Sequence, residues 1–257
     1  MKPVGLITDF GTADHYAGVM KSVIKTTAPG VDVIDITHGV KPFSIVNAQF
    51  MLDVSYPYIS PDGVVAVVVD PGVGSGRAIL IARDGGRVLV MPDNGIISAV
   101  IDRIEEVYEA DTTEYTHVST NFHGRDIFAP LAAKLASGAR CAELGQPVTT
   151  FKTRPYPGYT VSSNGIAGQI LHIDHFGNCV TSIPVDTFFK SSAQLFTVAK
   201  KGLALPTVTC ATYTDLSNGS AGLLPGSSGY IELSMNQQSP ASLYSIDIED
   251  EVVIRYE

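Results

Sequence analysis

The stretch Val64 to Arg77, VVAVVVDPGVGSGR, constrains the fold of this chain more than any other. Its six consecutive apolar residues, Val64 to Val69, are rich in β-branched side chains and follow a Pro-Asp-Gly turn, which predicts a strand buried on both faces. Asp70 then lies where this strand leaves the sheet, and ligands of open α/β sheets bind outside the carboxyl ends of the strands. The stretch is therefore either a ligand site or a surface turn with an ion pair. Its spacing alone favours neither.

The residues around this stretch alternate strands with helices. Val4 to Ile7 is a second short apolar run, and it also leads to a carboxylate, Asp9. A helix with one apolar face follows, then a strand from Val31 to Ile36 and a helix from about Ile45 to Tyr56. This alternation is typical of a parallel sheet with right-handed crossovers. The N-terminal part is therefore predicted to be an α/β domain with a mainly parallel sheet.

A histidine, an arginine and an aspartate crowd the start of another predicted helix. His123, Arg125 and Asp126 belong to the segment NFHGRD, directly before the helix Ile127 to Ser137. A helix N-terminus can bind anions or orient polar groups. The simpler interpretation is that Asp126 caps the helix and pairs with Arg125, while His123 is an ordinary loop histidine. Taken alone, the segment favours this simpler interpretation.

The composition changes within Thr149 to Ser163, where the run Arg154-Pro155-Tyr156-Pro157-Gly158-Tyr159, followed by Ser162-Ser163-Asn164-Gly165, is typical of a linker. We expect an α/β domain over residues 1–155, a linker over 156–164 and a second domain over 165–257. Helical spacing disappears beyond the linker, and short apolar runs between Gly, Asn, Ser and Pro predict a small all-β barrel or sandwich. These runs are Ile166 to Ile173, Cys179 to Ile183, Leu195 to Ala199, Val208 to Tyr213, Gly229 to Leu233 and Val252 to Tyr256.

A loop between the first two of these runs carries an acid, an aromatic residue and an amide. It reads Asp174-His175-Phe176-Gly177-Asn178. A tight turn explains the Gly-Asn pair without any function. An exposed Phe176 beside Asn178 would also suit a planar heterocycle.

The overall composition excludes several classes of function. A net charge of −9 and the lack of a Lys and Arg cluster argue against a nucleic-acid partner. The three cysteines are far apart and have no C-x-x-C spacing, so they suggest neither a disulfide framework nor a metal site. The first apolar run is too short for a signal peptide, and no later run has the length of a membrane span. We therefore expect a cytoplasmic protein with no membrane partner.

Six segments, in the order LITDFG, ITHGV, VVVDPGVGSGR, PDNG, NFHGRD and IDHFGN, together resemble the S-adenosyl-L-methionine hydrolases that form adenosine. That family also contains the fluorinating and chlorinating enzymes that act on the same substrate. The resemblance runs from Gly5 to about Tyr244. It implies hydrolysis of S-adenosyl-L-methionine to adenosine and methionine by attack of water on the ribose C5′ atom, with no metal and no cofactor. It also implies an α/β domain, a β-barrel, and a homotrimer whose active sites lie between the N-terminal domain of one subunit and the C-terminal domain of its neighbour.

The resemblance implies roles for five residues of the first domain. Asp70, Arg77 and His123 match the triad with which the hydrolases hold and activate water. Asp9 matches the carboxylate that binds the ribose hydroxyls. Phe43 stands where the fluorinating enzyme has a tryptophan that packs on the substrate.

Four residues of the second domain match substrate contacts of the family. Asp174 matches the residue that takes the methionine ammonium, and Phe176 and Asn178 match the adenine contacts. Ser227 aligns with a serine near the amino-acid end of the substrate. The chain departs from the family pattern beside it, because Gly226 stands where an Asn is usual.

Three other functions stay open as alternatives. The halide-using enzymes have small or uncharged residues at the position of Asp70 and no histidine at that of His123, and a carboxylate repels an incoming halide, so hydrolysis is favoured. A non-catalytic nucleoside-binding module would keep Asp9 without needing the triad. A metal-dependent hydrolase would use Asp9, His38, Asp70 and His123, but no H-E-x-x-H or comparable spacing supports it.

Overall fold

The computed structural model of this protein describes residues 1–115, 118–188, 193–198 and 202–256. The chain divides into two compact units, Met1–Tyr156 and Pro157–Glu257. Ala199, the last residue of one predicted strand, lies outside the described residues. Among the helices of the described residues, none combines the length and the apolar character that a membrane span needs.

The first unit is built on a seven-stranded mixed sheet of order β2-β1-β3-β5-β4-β6-β7. In chain order the strands are β1 Val4–Thr8, β2 Val33–Thr37, β3 Val64–Val68, β4 Ile79–Asp84, β5 Arg87–Pro92, β6 Glu106–Ala110 and β7 Gly145–Pro147. Strands β2, β1, β3 and β5 pair in parallel, and β4, β6 and β7 extend the sheet with antiparallel pairs. The predicted α/β domain is confirmed, with an antiparallel extension along one edge.

Helices cover both faces of this sheet. The helices are α1 Tyr16–Thr27, α2 Ile45–Ser55, α3 Ala129–Ala136 and the short α4 Cys141–Leu144. One hydrophobic core contains side chains of α1 and α3 together with Val64, Ala66 and Val68. A second core contains side chains of α2 together with Val65, Val67 and Val69. All six residues from Val64 to Val69 are buried, as predicted, because successive side chains of the strand enter opposite cores.

The strand order places a crevice at the carboxyl ends of β1 and β3. The chain leaves β1 towards α1 on one face, and it enters β3 from α2 on the other face. At the carboxyl edge of the sheet, the connections that leave β1 and β2 therefore diverge to opposite faces, which opens a crevice where ligands of such folds bind. Asp9 follows β1 and Asp70 lies just beyond β3, so both predicted strand-end carboxylates lie at this crevice.

The second unit is a closed barrel of seven strands. Its strands are β9 Gly165–Ile173, β10 Cys179–Pro184, β11 Ala193–Val198, β12 Leu203–Thr209, β13 Ala221–Pro225, β14 Tyr230–Met235 and β15 Glu251–Tyr256. The order β10-β14-β13-β12-β11-β15-β9 closes because β9 also pairs with β10. A further strand, β8 Thr160–Ser162, pairs with β9 and lies inside the segment that the sequence predicts to be a linker. Two short helices, α5 Val185–Phe188 and α6 Pro240–Tyr244, complete the unit.

Two predicted elements differ from the structure. The predicted strand Val208 to Tyr213 overlaps only the end of β12, because the carboxylate of Asp215 accepts the amide of Thr212 (3.0 Å) and closes a turn there. Strand β13, which contains Gly and Pro, was not predicted. The helix predicted from Ile127 begins instead with a π-helical turn, Gly124–Phe128, that leads into α3. Such turns are frequent at functional sites.

Candidate active site

A pocket of about 380 Å³ occupies the crevice of the first unit. Its walls come from the ends of β1 and β3, from the loop before α2, and from the segment that leads into the π-helical turn. The lining residues are Asp9, Phe10, Tyr16, Pro42, Phe43, Val68, Asp70, Val73, Asn121, Phe122, His123 and Gly124. Asp9, Phe43, Asp70 and His123, which the sequence singles out, thus meet in one pocket.

Asp70, Arg77 and His123 are directly connected by hydrogen bonds. Arg77 Nε lies 2.9 Å from each carboxylate oxygen of Asp70, and its Nη2 donates to the same carboxylate. The same Nη2 donates to Nδ1 of His123 at 2.9 Å. The side chains of Arg77 and Asp70 are only 5% and 6% exposed, so this ion pair is buried although the loop between the two residues is exposed.

The contact with Arg77 fixes the tautomer of His123. A guanidinium can only donate, so Nδ1 accepts and the neutral ring carries its proton on Nε2. Burial and then the positive charge of Arg77 hold the pKa of His123 below its ordinary value, although the carboxylates of Asp70 and Asp126 act in the opposite direction. His123 is therefore a neutral imidazole at pH 7, with an N–H at Nε2 to donate.

The loop after β3 is shaped to bring these groups together. The amide of Val73 donates to the Asp70 carbonyl (3.1 Å), which turns the chain back. Gly74 has φ +78°, and a Cβ there would lie 2.6 Å from the carbonyl oxygen of Thr120, so only glycine allows this loop to approach the segment that carries His123. Asn94 of the PDNG segment donates to the carbonyl of Val69 (2.9 Å) and fixes the end of the strand.

Asp9 is held by the backbone of the loop before α2. Its Oδ2 accepts the amide of Phe43 at 2.9 Å. Burial raises the pKa of Asp9, and the nearby charge of Asp70 adds to this, while hydrogen bonds from the amides of Phe43 and of Asp9 itself lower it. Phe43 has φ +66°, a left-handed conformation that is rare for a non-glycine residue, and the residue is 71% exposed. The loop thus presents an exposed ring next to a partly buried carboxylate.

An aromatic cluster that the sequence does not reveal forms one wall of the pocket. The rings of Phe10, Tyr16 and Phe122 lie within 5.0–6.0 Å of one another, centroid to centroid. Tyr16 is at the helical spacing of an apolar core position, yet it is 39% exposed because it faces this pocket. The only sequence signal is its place directly after the loop that carries Asp9.

His38 is not placed to bind a metal. Its Nδ1 lies 2.8 Å from Thr8 Oγ1 and its Nε2 lies 3.0 Å from Asp35 Oδ1, so both ring nitrogens have partners. Within the described residues, no group of three or more His, Cys, Asp or Glu side chains could hold a metal ion. The metal-dependent alternative, which needs His38 with Asp9, Asp70 and His123, finds no support in this geometry.

A second pocket, a cleft of about 630 Å³, lies in the barrel unit. It is lined by the loop between β9 and β10, by the turn after β12 and by the segment after β14. The lining residues are Asp174, Phe176, Asn178, Tyr213, Met235, Asn236, Gln237, Gln238 and Ser239. Three of the four predicted contacts of the second domain therefore share one cleft.

The carboxylate of Asp174 organises its own loop. Its Oδ1 accepts the amides of Phe176 (2.9 Å) and Asn178 (2.8 Å), and its Oδ2 accepts Nδ2 of Asn178 (2.9 Å). A Cβ at Gly177 would lie 1.9 Å from Ser239 Oγ, so glycine is required where the loop packs against the start of α6. The loop leaves Phe176 74% exposed and Asn178 5% exposed. An exposed ring thus stands beside a fixed amide.

Tyr213 also lines this cleft, although the sequence gives no indication of it. Its hydroxyl donates to Glu232 Oε1, and Glu232 is only 6% exposed. Burial raises the pKa of Glu232, and the charge of Asp174 adds to this, while the Tyr213 hydrogen bond lowers it. Ser227 instead lies in the exposed turn between β13 and β14, apart from the residues that line the cleft.

The chain is thus a two-domain protein. Its α/β unit has two carboxylates at a crevice, and its closed barrel has a cleft of its own. The SAM hydroxide adenosyltransferase N-terminal domain matches residues 4–145, and the C-terminal domain of the same family matches residues 168–253. The chain belongs to this family.

Individual relatives agree along nearly the whole chain. The (R)-S-adenosyl-L-methionine hydrolase of Salinispora tropica is 31% identical over 253 residues, which is 95% of this chain and 94% of the relative. A fluorinase of Actinoplanes sp. is 24% identical over 282 residues, with 95% of this chain and 94% of the fluorinase covered. The crystal structure of an uncharacterized conserved protein from Thermotoga maritima superposes with a TM-score of 0.88 at 31% identity, covering 98% of this chain and 99% of that one.

Proposed function

We propose that this protein hydrolyses S-adenosyl-L-methionine to adenosine and L-methionine by in-line attack of water on the ribose C5′ atom. The observation that carries the proposal is the direct connection of Asp70, Arg77 and His123 in the pocket that also holds Asp9. A module that only binds nucleosides has no need of a buried carboxylate, guanidinium and imidazole joined in this way. The relatives named as hydrolases support the same reaction.

The reaction places its chemical demand on the nucleophile. The sulfonium leaves as a neutral thioether, so the leaving group needs neither an acid nor a metal. The attacking water must be held in line with the C5′–S bond and must lose a proton. Positioning of this kind can remove several kcal/mol from a barrier, and a general base typically adds about 10²–10⁴-fold.

We propose that Asp70 and His123 share these tasks. Nδ1 of His123 already accepts a hydrogen bond from Arg77, and its Nε2 carries the ring proton, so the neutral imidazole donates to the water oxygen. Asp70 then accepts one proton of the water as the C5′–O bond forms and the C5′–S bond breaks, with its carboxylate held in place by Arg77. We therefore assign the proton to Asp70 and the orientation of the water to His123.

The remaining substrate contacts are divided between the two units. Asp9 accepts the ribose hydroxyls, and the exposed ring of Phe43 packs on the substrate. In the barrel unit Phe176 stacks on adenine beside Asn178, and Asp174 and Ser227 take the methionine end. The 630 Å³ cleft and the exposed, loop-held Phe176 support the roles of Asp174, Phe176 and Asn178, whereas the role of Ser227 rests on the resemblance alone.

The test is incubation of the full-length protein with S-adenosylmethionine, with products separated by chromatography. The relatives' name specifies the R configuration at sulfur, so the two sulfonium epimers are assayed separately. We expect adenosine and methionine in halide-free buffer and in chloride, with and without a chelator, and faster turnover of the R epimer. Asp70→Asn should lower kcat by about 10²–10⁴-fold.

The alternatives predict different products. 5′-chloro-5′-deoxyadenosine formed in chloride would identify a halide-using enzyme. Ligand binding without any product would identify a non-catalytic module. Loss of turnover on chelation would require a metal.

We propose that the protein is a homotrimer with each active site completed by two subunits. Support comes from the resemblance and from the division of the predicted contacts between two units, each with its own pocket. In the test, two inactive variants, Asp70→Asn and Asn178→Ala, are unfolded, mixed and refolded together. Random mixing should restore about one quarter of the wild-type activity, because one in four pairings joins two unmutated domains. Sites built within single subunits would restore none.

We also propose that the protein acts in the cytoplasm without a cofactor. The three cysteines are buried and none forms a disulfide within the part of the chain that the structure describes, as expected in a reducing compartment.

A further inference from the structure

His38, in the ITHGV segment, is a buried histidine that the proposed reaction does not use. Its side chain is 4% exposed. Its Nε2 lies 3.0 Å from Asp35 Oδ1, and its Nδ1 lies 2.8 Å from Thr8 Oγ1. A carboxylate only accepts, so Nε2 donates to Asp35. In the neutral ring Nδ1 then accepts the hydroxyl proton of Thr8.

This hydrogen-bond chain ends at the backbone around Asp9. Thr8 precedes Asp9, and its Oγ1 accepts the amide of Phe10 (3.3 Å). The carbonyl of His38 accepts the amide of Gly11 at 2.8 Å. His38 therefore contacts the chain on both sides of Asp9, through its ring by way of Thr8 and through its own carbonyl.

The other end of this hydrogen-bond network lies on α1. Asp35 accepts Nζ of Lys21 at 2.9 Å with one carboxylate oxygen and His38 with the other. The network thus runs from the surface of α1, through β2, to the end of β1. A loop fixed in this way loses less freedom when it binds a ligand, which strengthens binding.

We infer that His38 is a positioning residue, which holds the Thr8–Gly11 turn so that the Asp9 carboxylate faces the ribose hydroxyls. The inference rests on the proposed function, since it takes Asp9 as the ribose contact. His38 acts through Thr8 and the backbone and does not touch the substrate. It is expected to govern how well the site distinguishes a ribose from a sugar without hydroxyls.

The test compares the Kd of adenosine with that of 2′,3′-dideoxyadenosine, measured by calorimetry on the full-length protein. The two ligands differ only in the hydroxyls that Asp9 would bind, so their Kd ratio reports on the contacts to those hydroxyls. The wild type should prefer adenosine by about 10- to 100-fold, since hydrogen bonds to a charged group are strong. Thr8→Val keeps the shape of the side chain and removes the hydroxyl, and it should reduce the ratio to about threefold or less. Thr8→Ser keeps the hydroxyl and should retain the wild-type ratio.

His38→Leu should lower the ratio like Thr8→Val and leave the Kd of dideoxyadenosine nearly unchanged. If it fails to fold, the Thr8 pair still decides the matter, because valine and threonine have nearly the same volume. Variants that keep the wild-type ratio would overturn the inference, and so would an equal weakening of both ligands. A wild-type ratio near one would instead reject Asp9 as the ribose contact, and with it that part of the proposed function.

Discussion

Replacing Arg77 with methionine tests whether the Asp70–Arg77 pair is a buried ion pair of the kind the structure shows. The side chains are 5% and 6% exposed, Arg77 Nε bonds both carboxylate oxygens at 2.9 Å, and Nη2 also bonds His123. Methionine keeps much of the apolar stem and removes the guanidinium, whose Cζ lies 5.5 Å from the centroid of the Phe128 ring. Asp70 is then left as a buried charge without a partner.

The expected cost follows from that burial. Breaking a buried ion pair by removing one partner costs about 3–5 kcal/mol, because an uncompensated charge stays inside the protein. The double variant Asp70→Asn, Arg77→Met removes the charge as well and should be more stable than Arg77→Met alone. As a matched control, Arg83 pairs with Glu106 at 3.0 Å, but these side chains are 35% and 46% exposed. Arg83→Met should therefore cost much less stability than Arg77→Met, because water and salt screen an exposed pair.

The assay is urea unfolding followed by circular dichroism at pH 7, at one protein concentration for all variants, since association would otherwise shift the result. The reasoning is refuted if Arg77→Met loses no more stability than Arg83→Met. It is also refuted if the double variant is no more stable than Arg77→Met. Arg77→Lys should recover only part of kcat, because one ammonium cannot donate to Asp70 in two places and also reach His123.

Three further predictions concern the same pocket. Because the pKa of His123 is lowered by burial and by Arg77, the acid-side fall of kcat/KM should have its midpoint below the ordinary histidine value of about 6.5. Arg77→Met should move this midpoint to higher pH, and His123→Gln should remove the fall. The raised pKa of Asp9 means that the fold disfavours its ionised form, so Asp9→Asn should raise the free energy of unfolding at pH 7 in urea while weakening adenosine binding in calorimetry. Phe43→Gly should gain about 1 kcal/mol of stability by relieving the positive φ and should raise KM in steady-state assays, whereas Phe43→Trp should keep the wild-type KM.

The strand-end carboxylates could be predicted because both depend on local patterns. A run of apolar residues gives the strand, and the first charged residue after it gives the end of the strand. Asp9 and Asp70 are placed in this way without knowledge of any distant contact. The parallel arrangement then brings the two ends to the same edge of the sheet.

The hydrogen bond between Arg77 and His123 could not be predicted from local patterns. The two residues are 46 positions apart, and their contact depends on the close approach of Gly74 to the carbonyl of Thr120. The resemblance supplied His123, while the simpler interpretation of its segment treated it as a loop residue. The pairing of Arg125 with Asp126 belonged to that interpretation, and the structure contains it as well.

The barrel cleft also contains a residue that local sequence patterns could not place. Asp174, Phe176 and Asn178 lie within one five-residue loop, so the sequence presents them together. Tyr213 reaches the cleft only because the turn at Asp215 ends β12 early, and its partner Glu232 comes from β14. A strand predicted to continue to Tyr213 does not place the Tyr213 ring in a cleft.

The structure changes the reason for which this pocket would favour water over a halide. From the sequence, the charge of Asp70 repels an anion, but the buried pair with Arg77 leaves little net charge and His123 is neutral. The selection then rests on hydrogen bonds. Water can donate to Asp70 and accept from Nε2 of His123 at the same time, whereas a halide can only accept and would face the lone pairs of the carboxylate. In the proposed mechanism, the acceptor that excludes the halide is also the group that takes the proton from water.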